Sequence, residues 1–198
     1  MPVHILNLGS DSANFYLLIS GGSPRLLVDC GWPNSLEFLR SRLHAEGYEL
    51  TQIGYLLVTH YHPDHSGLAK ELKAAGVKLL VFESQQPSAS QLADPMNLTA
   101  RYIELQQRNG LVIAKGRARA VLEALDLKGD IIPTIGHSED SVSLVLDEGI
   151  AFTGDLPSQL MLSATDHQSR ESWKTLEEMG VKNIYPGHGK KLQLMSSH

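Results

Sequence analysis

Two parts of the sequence follow the same order of predicted elements, and this repeat constrains the fold more than any other feature. In the first part, apolar runs at 14–19 and 25–29 flank a loop with glycine and proline, and they predict a hairpin that ends at Asp29. A predicted helix and an apolar strand at 53–58 follow, and the next polar stretch contains His60. The order is therefore hairpin, aspartate, helix, strand and histidine.

The C-terminal third repeats this order. Runs at 141–146 and 150–155 predict a second hairpin that ends at Asp155, and a helix capped by Ser169 and a short strand then lead to His188. Two βα halves packed face to face would form an α/β (α+β layered) protein, a four-layer αββα sandwich with helices outside two sheets. A coincidental repeat of strands and helices, which α/β proteins often show, is the alternative.

The segment between the halves, at about 83–130, has a different pattern. We predict a helical insertion here, because 95–108 and 117–125 carry apolar residues at helical spacing, whereas 85–90 is loop-like. We expect the two helices to lie near the edge where the histidines gather. Together with the loop 156–162 they would wall a partly apolar pocket.

The stretch VTHYHPDHSG follows the apolar strand of the first half and crowds several histidines together. Because a strand alternates its faces, His60 and His62 leave the chain on the same side and can share one metal ion. Asp64 and His65 lie where the chain turns into a helix predicted to begin at Ser66, and they suit a second ion close by. A chance origin of this motif has odds of roughly one in a thousand.

Further candidate ligands stand at predicted strand ends, each beside a glycine. They are His137, Asp155 and His188. Imidazole and carboxylate are borderline-to-hard ligands, which suit Zn²⁺ and also Fe, Mn or Co. A lone histidine at such a position is more often a surface or hydrogen-bonded residue, but the joint pattern favours a metal centre.

Together these motifs resemble the metallo-β-lactamase fold superfamily: the His-x-His-x-Asp-His loop, a later GHS histidine, a TGD aspartate and a PGHG histidine. The resemblance extends from the VDCG stretch to PGHG, and it is specific for fold and metal site rather than for substrate. It implies a dinuclear centre with one group of ligands for each ion. The implied ligands are His60, His62 and His137 for one metal, Asp64, His65 and His188 for the other, and Asp155 as the bridge.

The resemblance also implies a reaction. Two divalent ions lower the pKa of a shared water, so that hydroxide forms at neutral pH, and they polarise the scissile oxygen. We expect a metal-dependent hydrolase, with two zinc ions, that acts on a small carbonyl ester, thioester or lactone through a metal-bridging hydroxide. Asp64 and Asp155 are the expected catalytic residues, Asp64 as a proton relay. The alternatives are a phosphodiesterase, a mononuclear-iron persulfide or thiol dioxygenase, and a non-catalytic metal-binding scaffold.

Three residues near these motifs need separate interpretation. Asp29 matches the first-motif aspartate of the superfamily, which would hydrogen-bond a metal ligand and orient it without binding the metal. The alternative is an aspartate that only closes the hairpin strand. Cys30 is expected to be a small buried residue rather than a thiol at the metal. The role of His167 is open, because the loop 156–168 follows Asp155 and should line the pocket.

Composition bounds the remaining questions. The chain of 198 residues is long enough for one domain, which we place at 1–198. A net charge of −5 disfavours nucleic-acid binding through the overall field, and the single cysteine fits a reducing compartment. Neither a signal peptide nor a membrane span is evident, so we expect a cytoplasmic protein that binds a small-molecule substrate. The sequence does not determine the oligomeric state.

Overall fold

The computed structural model describes residues 2–91 and 110–194, whose strands form two sheets. The first sheet has six strands in sequential order: β1 (His4–Asn7), β2 (Tyr16–Ser20), β3 (Ser23–Val28), β4 (Tyr55–Leu57), β5 (Lys78–Phe82) and β6 (Gly110–Ile113). The second sheet consists of β7 (Gly129–Pro133), β8 (Val142–Leu146), β9 (Ile150–Gly154), β10 (Asn183–Pro186) and β11 (Leu192–Gln193), in the spatial order β11-β10-β9-β8-β7. Both predicted hairpins are present, as the antiparallel pairs β2–β3 and β8–β9.

The helices are α1 (Leu36–Ala45), α2 (Pro63–Ser66), α3 (Ala69–Ala74), α4 (Gln86–Gln91), α5 (Ala118–Glu123) and α6 (His167–Glu178). Each sheet has helices on its outer face, whereas Ala118 and Leu122 of α5 belong to the cluster between the sheets. Leu39 of α1 and Leu72 of α3 belong to the apolar cluster outside the first sheet. Trp173 and Leu176 of α6 belong to the cluster outside the second. The predicted four-layer αββα sandwich is thereby confirmed.

The central core lies between the two sheets and follows from the alternation of side chains along each strand. In β2, Leu17 belongs to the outer cluster, whereas Leu18 points between the sheets. In β9, Ala151 likewise faces α6, whereas Phe152 lies in the central cluster. Strands that are buried on both faces have continuous apolar runs, which is why the sequence shows these runs without polar alternation.

The segment 83–130 departs from the predicted helical insertion. It contains β6, which pairs with β5, and it contains the start of β7, so part of it belongs to the two sheets. The helix predicted at 117–125 is present as α5, but the stretch 85–90, predicted as loop-like, is mostly the helix α4. The helix predicted at 95–108 lies outside the described residues.

The expected position of α5 near the histidines is wrong. Arg119 of α5 forms a bidentate ion pair with Asp147, in the turn that precedes β9. Asp155 follows the other end of that strand. The five residues of β9 span about 16 Å, so α5 lies at the far end of the sheets from the predicted metal site. It closes the opposite end of the central core instead.

Two predicted helix starts are shifted by local chemistry. Helix α2 begins at Pro63, inside the histidine motif and before Ser66, because proline has the backbone angle that a first helical position requires and needs no amide partner there. Helix α6 is capped by Asp166 rather than by Ser169, since the Asp166 carboxylate accepts the Ser169 amide at 3.0 Å. In the described part of the chain, none of the helices has the length and apolar character to span a bilayer.

Candidate metal centre

The carboxyl ends of strands from both sheets meet at one edge of the sandwich, and the predicted ligands gather there. The loop after β4 carries His60 and His62, and α2 carries the two ligands that follow them. The turns after β7, β9 and β10 add one residue each. The structure groups these seven side chains as His60, His62 and His137, and as Asp64, His65, Asp155 and His188. In each group, the potential ligand atoms lie within 4.8 Å of one another.

Asp155 lies between the two groups. Its Oδ2 atom is 3.9 Å from Nε2 of His60 and 3.6 Å from Nε2 of His137. The same oxygen is 3.3 Å from Nε2 of His188, while Oδ1 is 3.3 Å from Nε2 of His65. This carboxylate therefore faces ligand atoms of both groups at once, which is the geometry that a shared ligand needs.

Asp64 and His62 complete the two groups. Oδ2 of Asp64 is 3.1 Å from Nε2 of His188 and 3.4 Å from Nε2 of His65. In the other group, Nδ1 of His62 lies 3.0 Å from Nε2 of His137. His62, His137 and His188 are exposed, whereas His60 and His65 are buried, so each group has a buried part and a part that is open to solvent.

Glycines let the strand ends approach this closely. A Cβ atom at Gly187 would collide with Oδ1 of Asp155 and with the His65 ring. Gly154 has a φ of 53°, in the left-handed region that glycine favours, and a Cβ there would meet the Thr59 hydroxyl. Close contacts therefore require glycine at Gly154 and Gly187, beside Asp155 and His188.

Buried Asp29 orients one histidine of each group. Its Oδ2 atom accepts hydrogen bonds from Nδ1 of His65 at 2.9 Å and from the Thr59 hydroxyl at 2.8 Å. Since that hydroxyl has donated its only proton, it can act only as acceptor toward Nδ1 of His60, at 3.3 Å. Both imidazoles thus carry their proton on Nδ1 and turn Nε2 toward the centre. These contacts are the ones that a carboxylate orienting metal ligands would make.

The pKa values of the buried side chains indicate that the site favours a positive charge. Burial lowers the pKa of His65, but the neighbouring carboxylates of Asp155 and Asp29 outweigh burial and raise it to about 10. Burial and the neighbouring charge of His65 lower the pKa of His60 to about 3. For Asp155, burial acts to raise the pKa, yet the contacts with His65 lower it to about 2. In the metal-free protein, a proton on His65 therefore offsets part of the negative charge of Asp29 and Asp155.

Three buried atoms at the centre test whether metal ions fit. Nε2 of His60, Nε2 of His65 and Oδ1 of Asp155 are shielded from water and have no hydrogen-bond partner. A buried polar atom without a partner costs about 1–3 kcal/mol, so a folded protein supplies one, and here all three converge on the same space. Imidazole nitrogens and carboxylate oxygens are suitable donors for divalent transition metals. The cluster therefore fits a dinuclear metal site.

Supporting residues that the sequence analysis missed hold the first group in place. Asp140 accepts the Tyr61 amide at 3.0 Å and the Ser138 hydroxyl at 2.6 Å, and so links the His60–His62 loop to the His137 loop. Burial acts to raise the pKa of Asp140, but the hydrogen bonds from Ser138 and Tyr61 lower it. The side-chain amide of buried Gln85 donates to the carbonyls of Val58, Thr59 and Asp140. Asp140 stands close to the GHS motif, whereas no local pattern marks Gln85.

A second missed support joins the halves of the molecule at His188. The Asn14 side-chain amide donates to the carbonyls of Pro186 and Gly189, both at 2.9 Å, and its backbone amide donates to Gly187 at 2.7 Å. The Tyr16 hydroxyl also donates to the Pro186 carbonyl, at 2.7 Å. Residues of the N-terminal hairpin therefore fix the loop that presents His188.

An open cavity of about 390 Å³ adjoins the cluster on the side of the second sheet. His137, Asp155 and His188 form one part of its wall, and Leu156, Pro157 and Ser158 form another. The loop 156–162 thus contributes to the pocket as predicted, although Met161 is not part of the wall. No described residue of 83–130 lines this cavity.

Two residues whose roles were open lie outside the cluster. His167 is the exposed first residue of α6 and belongs to neither ligand group. Cys30 is fully buried, and its thiol donates to the backbone carbonyl of His65 at 3.2 Å. Burial raises the pKa of this thiol. Cys30 is thus a small core residue under the histidine loop, as expected.

Comparison with known proteins agrees with this geometry. The model of the metallo-beta-lactamase superfamily matches residues 8–188, which include all seven candidate ligands. Among solved structures, a metallo-beta-lactamase family protein from Thermus thermophilus superposes with a TM-score of 0.70 at 20% identity. The superposition covers 96% of this chain and 74% of that one, so the fold is shared.

Several curated relatives share a quarter or more of their aligned residues with this chain. The beta-lactamase-like protein 2 homolog of Caenorhabditis elegans is 27% identical over 179 residues, which are 89% of this chain and 55% of that protein. A hydroxyacylglutathione hydrolase of Erythrobacter litoralis is 26% identical, with 78% and 52% covered. The thioesterase pkgB of Emericella nidulans is 25% identical, with 87% and 44% covered. The chain spans about half the length of these relatives.

Proposed function

The chain belongs to the metallo-β-lactamase superfamily, and on this basis we propose that it is a metal-dependent hydrolase with two zinc ions. One observation carries the proposal: Asp155 faces nitrogen ligands of both groups, and the unpartnered buried atoms of His60, His65 and Asp155 converge on one space. We propose that residues 1–198 form one domain and that the substrate is a small carbonyl ester, thioester or lactone. The names of two relatives, a thioesterase and a hydroxyacylglutathione hydrolase, support acyl transfer to water.

The proposed ligand sets are those that the sequence motifs implied, and the grouping of the side chains supports them. His60, His62 and His137 would hold one ion, Asp64, His65 and His188 would hold the other, and Asp155 would be shared. Bound there, divalent ions would supply an activated water and a Lewis acid for the carbonyl oxygen of the substrate.

The residues of the chain contribute orientation and proton transfer. Asp29 keeps the Nδ1 atoms of His65 and, through Thr59, of His60 protonated, so that the Nε2 lone pairs face inward. Asp64 is only partly buried, and its Oδ2 atom lies 3.1 Å from Nε2 of His188. We assign Asp64 to accept the proton of the attacking water and to return it to the leaving group. In the metal-free protein, Asp155 is ionised at neutral pH, because the contacts with His65 lower its pKa to about 2 against the effect of burial.

A substrate panel tests this proposal. The protein, freed of metal and reloaded with zinc, is assayed with an aryl ester, an acyl thioester, a lactone and bis-p-nitrophenyl phosphate. We expect turnover of at least one carbonyl substrate, lost on metal removal and restored by zinc. Turnover of the phosphodiester alone would instead establish a phosphodiesterase. Dioxygen consumption with a persulfide, by protein that contains one iron, would establish the dioxygenase.

A further inference from the structure

The cavity beside the metal cluster has an apolar wall away from the ligands. Leu156, Pro157, Trp173 and Ile184 form this wall, and the exposed Leu192 extends it. The one donor on the Trp173 ring is already used, because the indole N–H donates to the Pro157 carbonyl at 2.8 Å. This wall therefore offers a ligand mostly dispersion contacts and the removal of apolar surface from water.

The wall is tied to α6 and is formed before any ligand binds. Besides the Trp173 bond, Arg170 donates to the carbonyls of Leu162 and Ser163, and Gln159 donates to Glu177 at 2.7 Å. These bonds hold the loop after Asp155 at both of its ends. A preformed wall costs little ordering entropy when a ligand binds, and so it can select among ligands by shape and polarity.

One cationic side chain interrupts this lining. Of the described residues that line the cavity, Lys190 is the only lysine or arginine. It forms no ion pair with any described carboxylate, although Asp155 lines the same cavity. The neighbouring Lys191 differs, because its ammonium lies 4.9 Å from the centroid of the Tyr185 ring. Lys174 and Arg119 are paired with Glu178 and Asp147. Lys190 is therefore a cation without a described partner, beside an apolar wall.

We propose that this cavity binds an amphiphilic acyl substrate, with an apolar group against the Leu156–Trp173 wall and a carboxylate or phosphate group at Lys190. The inference rests on the proposed hydrolase function and deepens it. Lys190 lies two residues after His188, so their Cα atoms are at most about 7 Å apart. A substrate whose carbonyl lies at the ligand cluster can therefore reach Lys190 with an anionic group a few bonds away. Lys190 acts here as a specificity residue and not as a catalytic one.

Binding of an inert ligand pair tests the role of Lys190 without relying on turnover. The thioether S-butyl-3-mercaptopropionate and its methyl ester differ by one negative charge and one methyl group. Dissociation constants for both are measured by calorimetry on the zinc-loaded wild type, Lys190→Met, Lys190→Arg and the matched control Lys191→Met. Zinc itself attracts carboxylates, so the wild type can prefer the acid even without Lys190. The preference is therefore defined as the ester's dissociation constant divided by the acid's, and this ratio is compared between variants.

We expect the wild type to prefer the acid. In Lys190→Met this preference should fall about fivefold, which corresponds to the loss of one solvent-accessible ion pair. Lys190→Arg and Lys191→Met keep the wild-type preference. The proposal is overturned if Lys190→Met keeps it too, if Lys191→Met loses as much, or if the wild type binds neither thioether. Hydrolysis of the matching thioester, S-butanoyl-3-mercaptopropionate, is followed separately. Charge-dependent binding, with no hydrolysis of this thioester or of any carbonyl substrate in the panel, would uphold the subsite and refute the hydrolase.

Discussion

Oδ2 of Asp29 lies 2.9 Å from Nδ1 of His65, although 36 positions separate the two residues along the chain. The same oxygen accepts the Thr59 hydroxyl, so one carboxylate orients a histidine in each ligand group. Asp29 itself has a φ of 60°, a left-handed conformation that aspartate and asparagine tolerate better than most residues. This backbone conformation directs the Asp29 carboxylate toward Thr59 and His65 of the histidine loop.

Replacing Asp29 by asparagine tests this orientation. The amide can still accept the Thr59 backbone N–H, but its NH₂ group then faces Nδ1 of His65, and two donors meet. We expect His65 to change tautomer and zinc affinity to fall about 10–100-fold. Affinity is measured by competition with a chromophoric chelator. The matched control is Asp126→Asn, an exposed aspartate that also has a positive φ of 57°. Equal affinities of the two variants would refute the role of Asp29.

The bridging role of Asp155 predicts a different outcome. In Asp155→Asn, the amide binds metals poorly and cannot serve two ions, so we expect lower occupancy of one ion and a loss of hydrolysis of about 10²-fold or more. Metal content and turnover are measured on the same preparation. Asp147→Asn, in the turn at the other end of β9, should match the wild type. Two retained ions with near-native turnover in Asp155→Asn would show that the residue is not the bridge.

The contact between Asn14 and the His188 loop can be tested by a change of one atom. In Asn14→Asp, a carboxylate oxygen would face the carbonyl oxygens of Pro186 and Gly189, where the amide now donates. We expect a loss of about 1–3 kcal/mol in the free energy of unfolding and weaker binding of the ion that His188 would hold. Urea denaturation of the metal-free protein measures the first effect. The exposed Asn34→Asp serves as control, and the same loss in both variants would contradict the prediction.

The pKa of His65 predicts how the stability of the metal-free protein depends on pH. The folded-state pKa of about 10 lies above the ordinary value of 6.5, so the stabilisation by the charged ring is fully present below pH 6.5 and is lost as the pH rises toward 10. Urea denaturation with a chelator at pH 6.5, 8 and 9 should show falling stability for the wild type. In His65→Gln this part of the slope should be absent. Identical slopes would mean that Asp155 and Asp29 do not hold a charged His65.

The cluster of candidate ligands was predictable, because metal chemistry concentrates histidine and aspartate at strand ends beside glycine. The two halves were equally visible, since strands such as β2 and β9 are continuous apolar runs. The supports from Asn14 and Gln85 were not visible. Each bonds backbone carbonyls that become neighbours only after the sheets have packed, and any polar side chain at such a position gives the same local pattern.

The segment after β5 was misread for a related reason. Its glutamine- and serine-rich stretch lacks the apolar period of a helix. A short 3₁₀ helix (Glu83–Gln85) and the helix α4 nevertheless form there. Gln85 is fully buried and holds this turn through three side-chain hydrogen bonds to carbonyls of the histidine and Asp140 loops. Tertiary hydrogen bonds therefore stabilise a helix start that intrinsic propensity does not predict.

The metal content of the purified protein tests the central claim most directly. The chain is purified without chelators, dialysed against excess zinc and then against metal-free buffer, and its metals are counted by elemental analysis. Two groups of ligands that share Asp155 predict two transition-metal ions per chain. One tightly bound iron, with no second ion taken up, would contradict the dinuclear centre and the hydrolase proposed from it.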